Sequence, residues 1–296
     1  MSTRSLALWR PIAEAARRKA ARFDLHGLPA VLDRIGSLEL RLATSKKEVR
    51  RAQRLRYKVF SKEGGATPDP TARLLRRDVC RYDRICDHLI VVDLAARRRT
   101  GVIKPRVVGV YRLLRQEIAQ AQFGFYSAQE FDLSPMLAAR KGDRILELGR
   151  SCVHRDYRDR KVLELLWRGL WIYARHHRID AMIGCASLPG VDAQRHAGAL
   201  AFLRDCAPAR EDFNAAPLAH RRAAIETDGA EPLSFRRALA ALPPLIKGYL
   251  RVGARFGEGA VVDRQFNCTD VFVVVRMCDI DTRYIEHIVG ERARAA

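Results

Sequence analysis

Apolar residues run along this chain in two periods. Short stretches are alternating or continuously apolar, as strands are; longer ones repeat every three to four residues, as helix faces do. Residues 38–43 read as a first strand, and Thr44 or Ser45 as the N-cap of a helix over 46–60. Residues 61–82 carry glycine, proline and charge and read as a loop, partly helical near 74–77. Strands are expected at 88–93, 106–114 and 144–153, with a basic turn over 97–105. A helix over 162–176 is apolar on more than one side, through Leu163, Leu165, Leu166, Trp167, Leu170, Trp171 and Tyr173, which predicts deep burial. Beyond it come a fifth strand at 181–188 and a helix capped by Asp192 that runs through Cys206. An extended crossing segment over 207–240 and a last strand at 269–277 complete the pattern. Strands and helices alternate, which is α/β organisation.

The chain has 296 residues, 48% of them hydrophobic, and a mean hydropathy of −0.20. That composition makes a packed body and excludes a disordered one. No apolar run approaches the ~18 residues that span a bilayer. Glu14, Arg17, Arg18 and Lys19 interrupt any signal-peptide core, so a cytoplasmic location is expected. Seven cysteines, none in C-x-x-C spacing, read as reduced thiols and not as a zinc site.

Charge changes the picture more. A net charge of +20 and a pI near 10.3 call for an acidic partner: nucleic acid, an anionic membrane or an acidic protein. No zinc finger or aromatic RNA-binding motif is present, which argues against nucleic acid. Two parts are expected, a basic leader over 1–36 and a folded domain over 37–290. The leader holds seven basic and three acidic side chains, so most of the excess charge lies in the domain. Within it, Leu6, Leu8, Trp9 and Ile12 stand among Arg and Lys over residues 5–22. Such an amphipathic helix either packs on the body or lies on an anionic membrane face, a peripheral contact.

Candidate chemistry concentrates in residues 144–161, where a strand ends in a cationic turn that opens a helix. A helix N-terminus offers unpaired N–H groups and a positive dipole end to a phosphate. Arg158, Arg160 and Lys161 add three cations there; they either hold a phosphate or form a solvated helix start. Inside the strand, Glu147 and Arg150 stand three residues apart and would face opposite sides of a regular sheet. A bulge at Gly149 would re-aim one of them.

Four blocks then recur in order: Arg56-Tyr57-x-Val59-Phe60, Asp83 with Asp87-His88-Leu89, Val108-Gly109-Val110-Tyr111-Arg112-Leu113-Leu114, and Glu147-Leu148-x-Arg150. In these the chain resembles acyl-homoserine-lactone synthases and their relatives among the GNAT-like N-acyltransferases. Blocks over 242–251 and 263–271 make it most similar to the L-ornithine Nα-acyltransferases of ornithine-lipid synthesis. The resemblance runs from about Leu38 to about Ile285. It implies a GNAT-like α/β fold, with a central mixed, mostly antiparallel twisted sheet flanked by helices. It also implies transfer of a 3-hydroxyacyl group from acyl carrier protein to the α-amine of L-ornithine. The product is lyso-ornithine lipid, made at the cytoplasmic face of the membrane. The basic surface suits acyl carrier protein, which is small and acidic.

The usual turn of that fold reads Arg/Gln-x-x-Gly-x-Gly/Ala and cradles a pyrophosphate. Here Arg158 fits, while Lys161 and Leu163 stand at the glycine positions. The expected donor therefore carries the single phosphate of phosphopantetheine, met by Arg158, Arg160 or Lys161; no bound cofactor and no metal are expected. Glu147, with Arg150 beside it, is the candidate base for aminolysis, or else an ion-pair partner that orders the sheet. Strand N–H groups at Ser151, Cys152 and Val153 would meet the oxyanion. Cys152 as an acyl-enzyme nucleophile has no paired histidine in the sequence, and a core position is expected for it. Asp83 and Asp87 are candidates for ornithine's cationic end, and Arg56 and Arg112 for its carboxylate. These four alternatively form a structural ion-pair network. Val110, Leu146 and Val274 are candidates for an acyl slot. The rival readings are homoserine-lactone synthesis from S-adenosylmethionine, another N-acyl amino acid synthesis, and a non-catalytic basic protein binding membrane or nucleic acid.

Overall fold

The computed structural model describes residues 23–97, 100–226 and 235–280. The expected leader helix over 5–22 lies outside them. In chain order the strands are β1 (Asp33–Ile35), β2 (Leu38–Leu42), β3 (Asp87–Asp93), β4 (Arg106–Arg115), β5 (Phe131–Asp132), β6 (Ile145–Val153), β7 (Ala181–Pro189), β8 (Ala216–Pro217), β9 (Arg255–Phe256), β10 (Val261–Asp263) and β11 (Cys268–Arg276). The helices are α1 (Lys46–Tyr57), α2 (Pro70–Leu75), α3 (Gln116–Gln120), α4 (Ser134–Ala139), α5 (Arg160–His176), α6 (Ala197–Cys206), α7 (Phe235–Ala241) and α8 (Pro244–Arg251).

One sheet organises them, in the order β1-β2-β3-β4-β6-β7-β11-β10, with β9 also on β11. Every pairing in it is antiparallel except β6 with β7. The expected mixed, mostly antiparallel sheet with flanking helices is therefore what forms. β1 and Leu28, which is 6% exposed, belong to the sheet and its core, although both precede residue 37.

α5 covers one face. Leu165, Leu166 and Leu170 are almost fully buried against Leu40, Leu89 and Val91 of the sheet. Burying each such side chain is worth roughly 1.5–3 kcal/mol. Gly169 lets the helix come this close, since a Cβ there would sit 2.8 Å from Leu89 Cδ2. The helix starts at Arg160, two residues earlier than expected, with Asp159 extended at its N-cap. α1 packs elsewhere, over Ile90, Val92, Val110 and Cys152. Its start is capped twice: Ser45 Oγ accepts from the Glu48 N–H, and Glu48 Oε2 accepts from the N–H of Thr44, just before the N-cap, at 2.9 Å.

Three expectations differ from the structure. The first helix does not run regularly to Phe60; it widens into a π turn over Lys58–Glu63, a local rearrangement common at functional sites. The segment over 207–240 is not simply extended, because β8 and α7 form within it. The helix ending at Cys206 begins at Ala197, after a 3-10 turn over Ala193–His196 that Asp192 precedes without a side-chain cap.

Candidate active site

β6 and β7 pair only from Ile145↔Ala181 to Leu148↔Gly184. Beyond that point β6 continues to Val153 and β7 to Pro189. Their facing edges part into a wedge, and the edge of β6 that faced β7 is left without a ladder partner. Gly184 marks the apex: a Cβ there would lie 2.5 Å from the Leu148 carbonyl oxygen.

A cavity of about 220 Å³ opens at this wedge. β6 contributes Glu147, Gly149, Arg150 and Ser151, and β4 contributes Tyr111 and Arg112. Across it stand Cys185 and Ser187 of β7 and Asp270 of β11. Apolar walls come from Phe60, Leu148, Leu245 and Phe266, with the Tyr111 and Tyr249 hydroxyls joined at 2.7 Å. The π turn is what delivers Phe60, which meets Phe266 edge-on at 5.7 Å.

The expected bulge exists. Val110 pairs with Cys152 and Arg112 with Gly149, so β6 spends three steps where β4 spends two. The strained residue is Arg150, at φ 52°, and not Gly149. Gly149 has a different use, as a Cβ on it would stand 3.5 Å from Arg112 Nη2. With the bulge in place, Glu147 and Arg150 both line the cavity.

Glu147 is 4% exposed. Its Oε1 accepts from the Ser127 N–H at 2.7 Å, and its Oε2 from the Tyr126 N–H at 2.8 Å. Burial raises its carboxyl above the ordinary value, against the pull of those hydrogen bonds and of Arg112. Arg150 donates to the Tyr126 hydroxyl at 3.2 Å, stacks 4.0 Å from the Phe266 ring centroid, and holds Asp78 at 3.5 Å. Arg112 Nη1 has no hydrogen-bond acceptor among the described residues. Two cationic planes thus meet the Glu147 carboxylate in one cavity, with Asp263 and Asp270 also on its lining.

The other sequence candidates lie elsewhere. Arg56 is 0% exposed and bonds Asp83 through both guanidinium ends, at 2.8 and 2.7 Å. It also meets Asp78 at 2.8 Å. Asp83 further accepts from Gln53 at 2.8 Å. Burial alone would raise the Asp83 carboxyl, but Arg56 overrides it and holds it well below the usual carboxylate range. This pair supports the wall from behind and does not line the cavity. Asp87 accepts from the Tyr173 hydroxyl and sits 4.0 Å from Arg115, on the α5 side of the sheet. Of the four proposed substrate contacts, only Arg112 reaches the cavity.

Ser151 lines it too, whereas Cys152 is buried under α1, where burial pushes its thiol up to about 12. Val153 packs on the α5 core. Arg158, Arg160 and Lys161 follow the end of β6 at the start of α5, do not line the cavity, and are all exposed. Arg158 pairs with Glu63 and reaches the Val153 carbonyl at 3.4 Å. Val110, Leu146 and Val274 enter three different apolar clusters and share no slot. Among the described residues no helix is long and apolar enough to cross a membrane.

Sequence reasoning passed over Asp78, Tyr126, Glu130, Asp263 and Asp270. The Asp263–Asp270 block lay in a stretch already singled out, but without any reason to aim its carboxylates inward.

The acetyltransferase (GNAT) domain family matches residues 55–168. The L-ornithine N(alpha)-acyltransferase of Agrobacterium fabrum is 48% identical over 261 residues, 88% of each chain. That of Brucella abortus is 43% identical over 277 residues, covering 93% of this chain and 96% of its own. Among solved structures, an N-acyl amino acid synthase from uncultured soil microbes superposes with a TM-score of 0.46 and 11% identity, over 81% of this chain and 91% of its own.

Proposed function

This chain belongs to the L-ornithine N(alpha)-acyltransferases, and we propose that it transfers a 3-hydroxyacyl group from acyl carrier protein to the α-amine of L-ornithine, forming lyso-ornithine lipid. The observation that carries this reading is the convergence of Glu147, Arg112 and Arg150 in one cavity at an open strand edge.

The amino acid's carboxylate lies against Arg112 and Arg150, whose buried guanidiniums are suited to bidentate contact. That places the α-nitrogen beside Glu147. An α-amine titrates near 8, so part of it is neutral and nucleophilic at physiological pH. As it attacks the thioester carbonyl, Glu147 takes the proton that the nitrogen sheds and returns it to the departing thiolate. A carboxyl raised by burial is closer to the operating pH and serves both transfers. The tetrahedral oxyanion is met by backbone N–H groups on the open edge of β6, around Ser151–Val153. The phosphopantetheine arm runs along the wedge. Its phosphate meets Arg158, Arg160, Lys161 and the N-terminus of α5, where Asp159 makes no side-chain cap. The +20 charge steers the acidic carrier protein to this end and favours contact with an anionic membrane face.

Mass spectrometry of products tests the reading. Pure protein is mixed with 3-hydroxyacyl carrier protein and either ornithine or S-adenosylmethionine. An ornithine-dependent Nα-acyl product is expected. An acyl lactone, or no product from ornithine, overturns the proposal.

A further inference from the structure

Across the cavity from Glu147, three carboxylates gather without a matching set of cations. Asp263 ends β10, Asp270 lies on β11, and Glu130 follows a 3-10 turn over Ser127–Gln129. Ligand atoms of Asp263, Cys268 and Asp270 lie within 4.8 Å of one another. Glu130 is 3% exposed and Asp270 5%. One oxygen on each, Glu130 Oε2 and Asp270 Oδ1, has no hydrogen-bond partner. The Asp263 carboxylate, by contrast, accepts from the Phe266 N–H at 2.9 Å. The cation in contact with Glu130 is Arg221, at a loose 3.8 Å. A buried carboxylate oxygen without a partner is costly.

Asp270 lines the cavity that holds Glu147. Glu130 lines a neighbouring cavity of about 600 Å³, and Asp263 and Tyr126 line both. The acidic group therefore forms the wall between the two. We infer that Asp270 and Asp263, with the charge of Glu130 behind them, bind the side-chain ammonium of a diamino-acid acceptor and so select it over neutral amino acids. This rests on the proposed acyl transfer to ornithine.

Chemistry and reach agree. An alkylammonium carries three N–H donors and no acceptor. It can satisfy the orphan oxygen of Asp270 and still donate to Asp263, while Glu130 adds negative charge from the neighbouring wall. Ornithine holds its nitrogens five bonds apart, about 6 Å when extended. Adding a hydrogen bond of about 2.8 Å at each end gives a span of roughly 12 Å between carboxylate oxygens. β6 and β11 stand two strand spacings apart, about 10 Å. Asp270 pairs with Ser187, four residues or about 13 Å beyond the Ile183 that pairs with Glu147. The two backbones therefore lie roughly 16 Å apart, and their carboxylates reach toward each other across the cavity that both line. An α-nitrogen at Glu147 therefore sends the δ-nitrogen toward Asp270.

The test compares ornithine with norvaline, which has the same carbon chain and no δ-nitrogen. Reactions contain a metal chelator. Wild-type protein should prefer ornithine at least tenfold in kcat/KM. D270N should move the ornithine-to-norvaline ratio toward one, and E130Q should do so to a smaller extent. An unchanged ratio in both variants overturns the inference, as does a wild-type ratio near one or a preference that appears only with added zinc or calcium. Should D270N not fold, competition on wild type decides: propylammonium should inhibit against ornithine where propanol does not, and equal effects count against the subsite. Failure of the underlying reading looks different, since neither amino acid is then acylated.

Discussion

Glu147 and Arg150 stand three residues apart on β6 and both hold Tyr126. Glu147 accepts its N–H at 2.8 Å, and Arg150 donates to its hydroxyl at 3.2 Å. A flat strand would have sent them to opposite faces. The left-handed turn at Arg150 adds one residue to β6, and the parity changes. A base and a carboxylate anchor are thereby placed in one cavity.

Loss of the base should be read in kcat. Glu147→Gln is expected to lower it by about 10²–10⁴, the usual worth of a general base, with a much smaller change in KM for ornithine. The acid limb of the pH–rate profile should vanish with it. Near-wild-type turnover by this variant, at any pH, rules out the role.

Arg56→Met takes from buried Asp83 its main cation, and Asp83→Asn leaves buried Arg56 with Asp78 alone. Each is expected to destabilise the fold by about 3–5 kcal/mol in urea unfolding. Asp83 is held below its unfolded value, so its contribution is complete above about pH 4 and is lost as pH falls further. The D83N variant should therefore lose less stability on acidification than wild type. Equal acid sensitivity would place the coupling elsewhere.

Glu130 behaves in the opposite sense. Burial, with Asp270 and Asp263 adding to it, pushes its carboxyl up to about 8. A raised carboxyl favours the fold at pH below its unfolded value of about 4.3, and that advantage is lost as pH rises through about 8. Tm should fall between about pH 4 and pH 8, and Glu130→Gln should flatten the fall. Parallel curves for the two proteins, measured by calorimetry across that range, would contradict this.

At the apex of the wedge, Gly184→Ala would set a methyl 2.5 Å from the Leu148 carbonyl oxygen, a backbone atom that cannot rotate away. A loss of about 1–3 kcal/mol is expected from such overpacking. Activity should fall along with Tm, because the contact positions both strands of the wedge. An unchanged Tm would mean that the strands separate there at no cost.

Lys161→Glu and Arg158→Glu reverse charge where the donor's phosphate and carrier protein are proposed to dock. KM for acyl carrier protein should rise about tenfold at low salt, and the difference should shrink as salt screens it. KM for ornithine should stay put. A salt-independent effect, or one on ornithine, would move the docking surface elsewhere.

What the sequence alone determined is what contiguous residues decide. Continuous apolar runs at 88–93, 106–114 and 144–153 become β3, β4 and β6 to within a residue, because both faces of a central strand are buried. The many-sided apolar pattern from Leu163 to Tyr173 becomes α5, and the basic turn before it opens that helix. Even the bulge announced itself, since a glycine interrupts a strand between two charges. Tertiary structure alone decided which charges meet. Arg56 and Asp83 look like substrate ligands on paper, yet they neutralise each other because a loop carries Asp83 back over α1. Glu130 comes from a segment far in sequence from the β10–β11 hairpin that carries Asp263 and Asp270, and no local pattern records that an oxygen on Glu130 and one on Asp270 end up buried without a partner. Pairing energies depend on distance and burial, and both are properties of the assembled sheet.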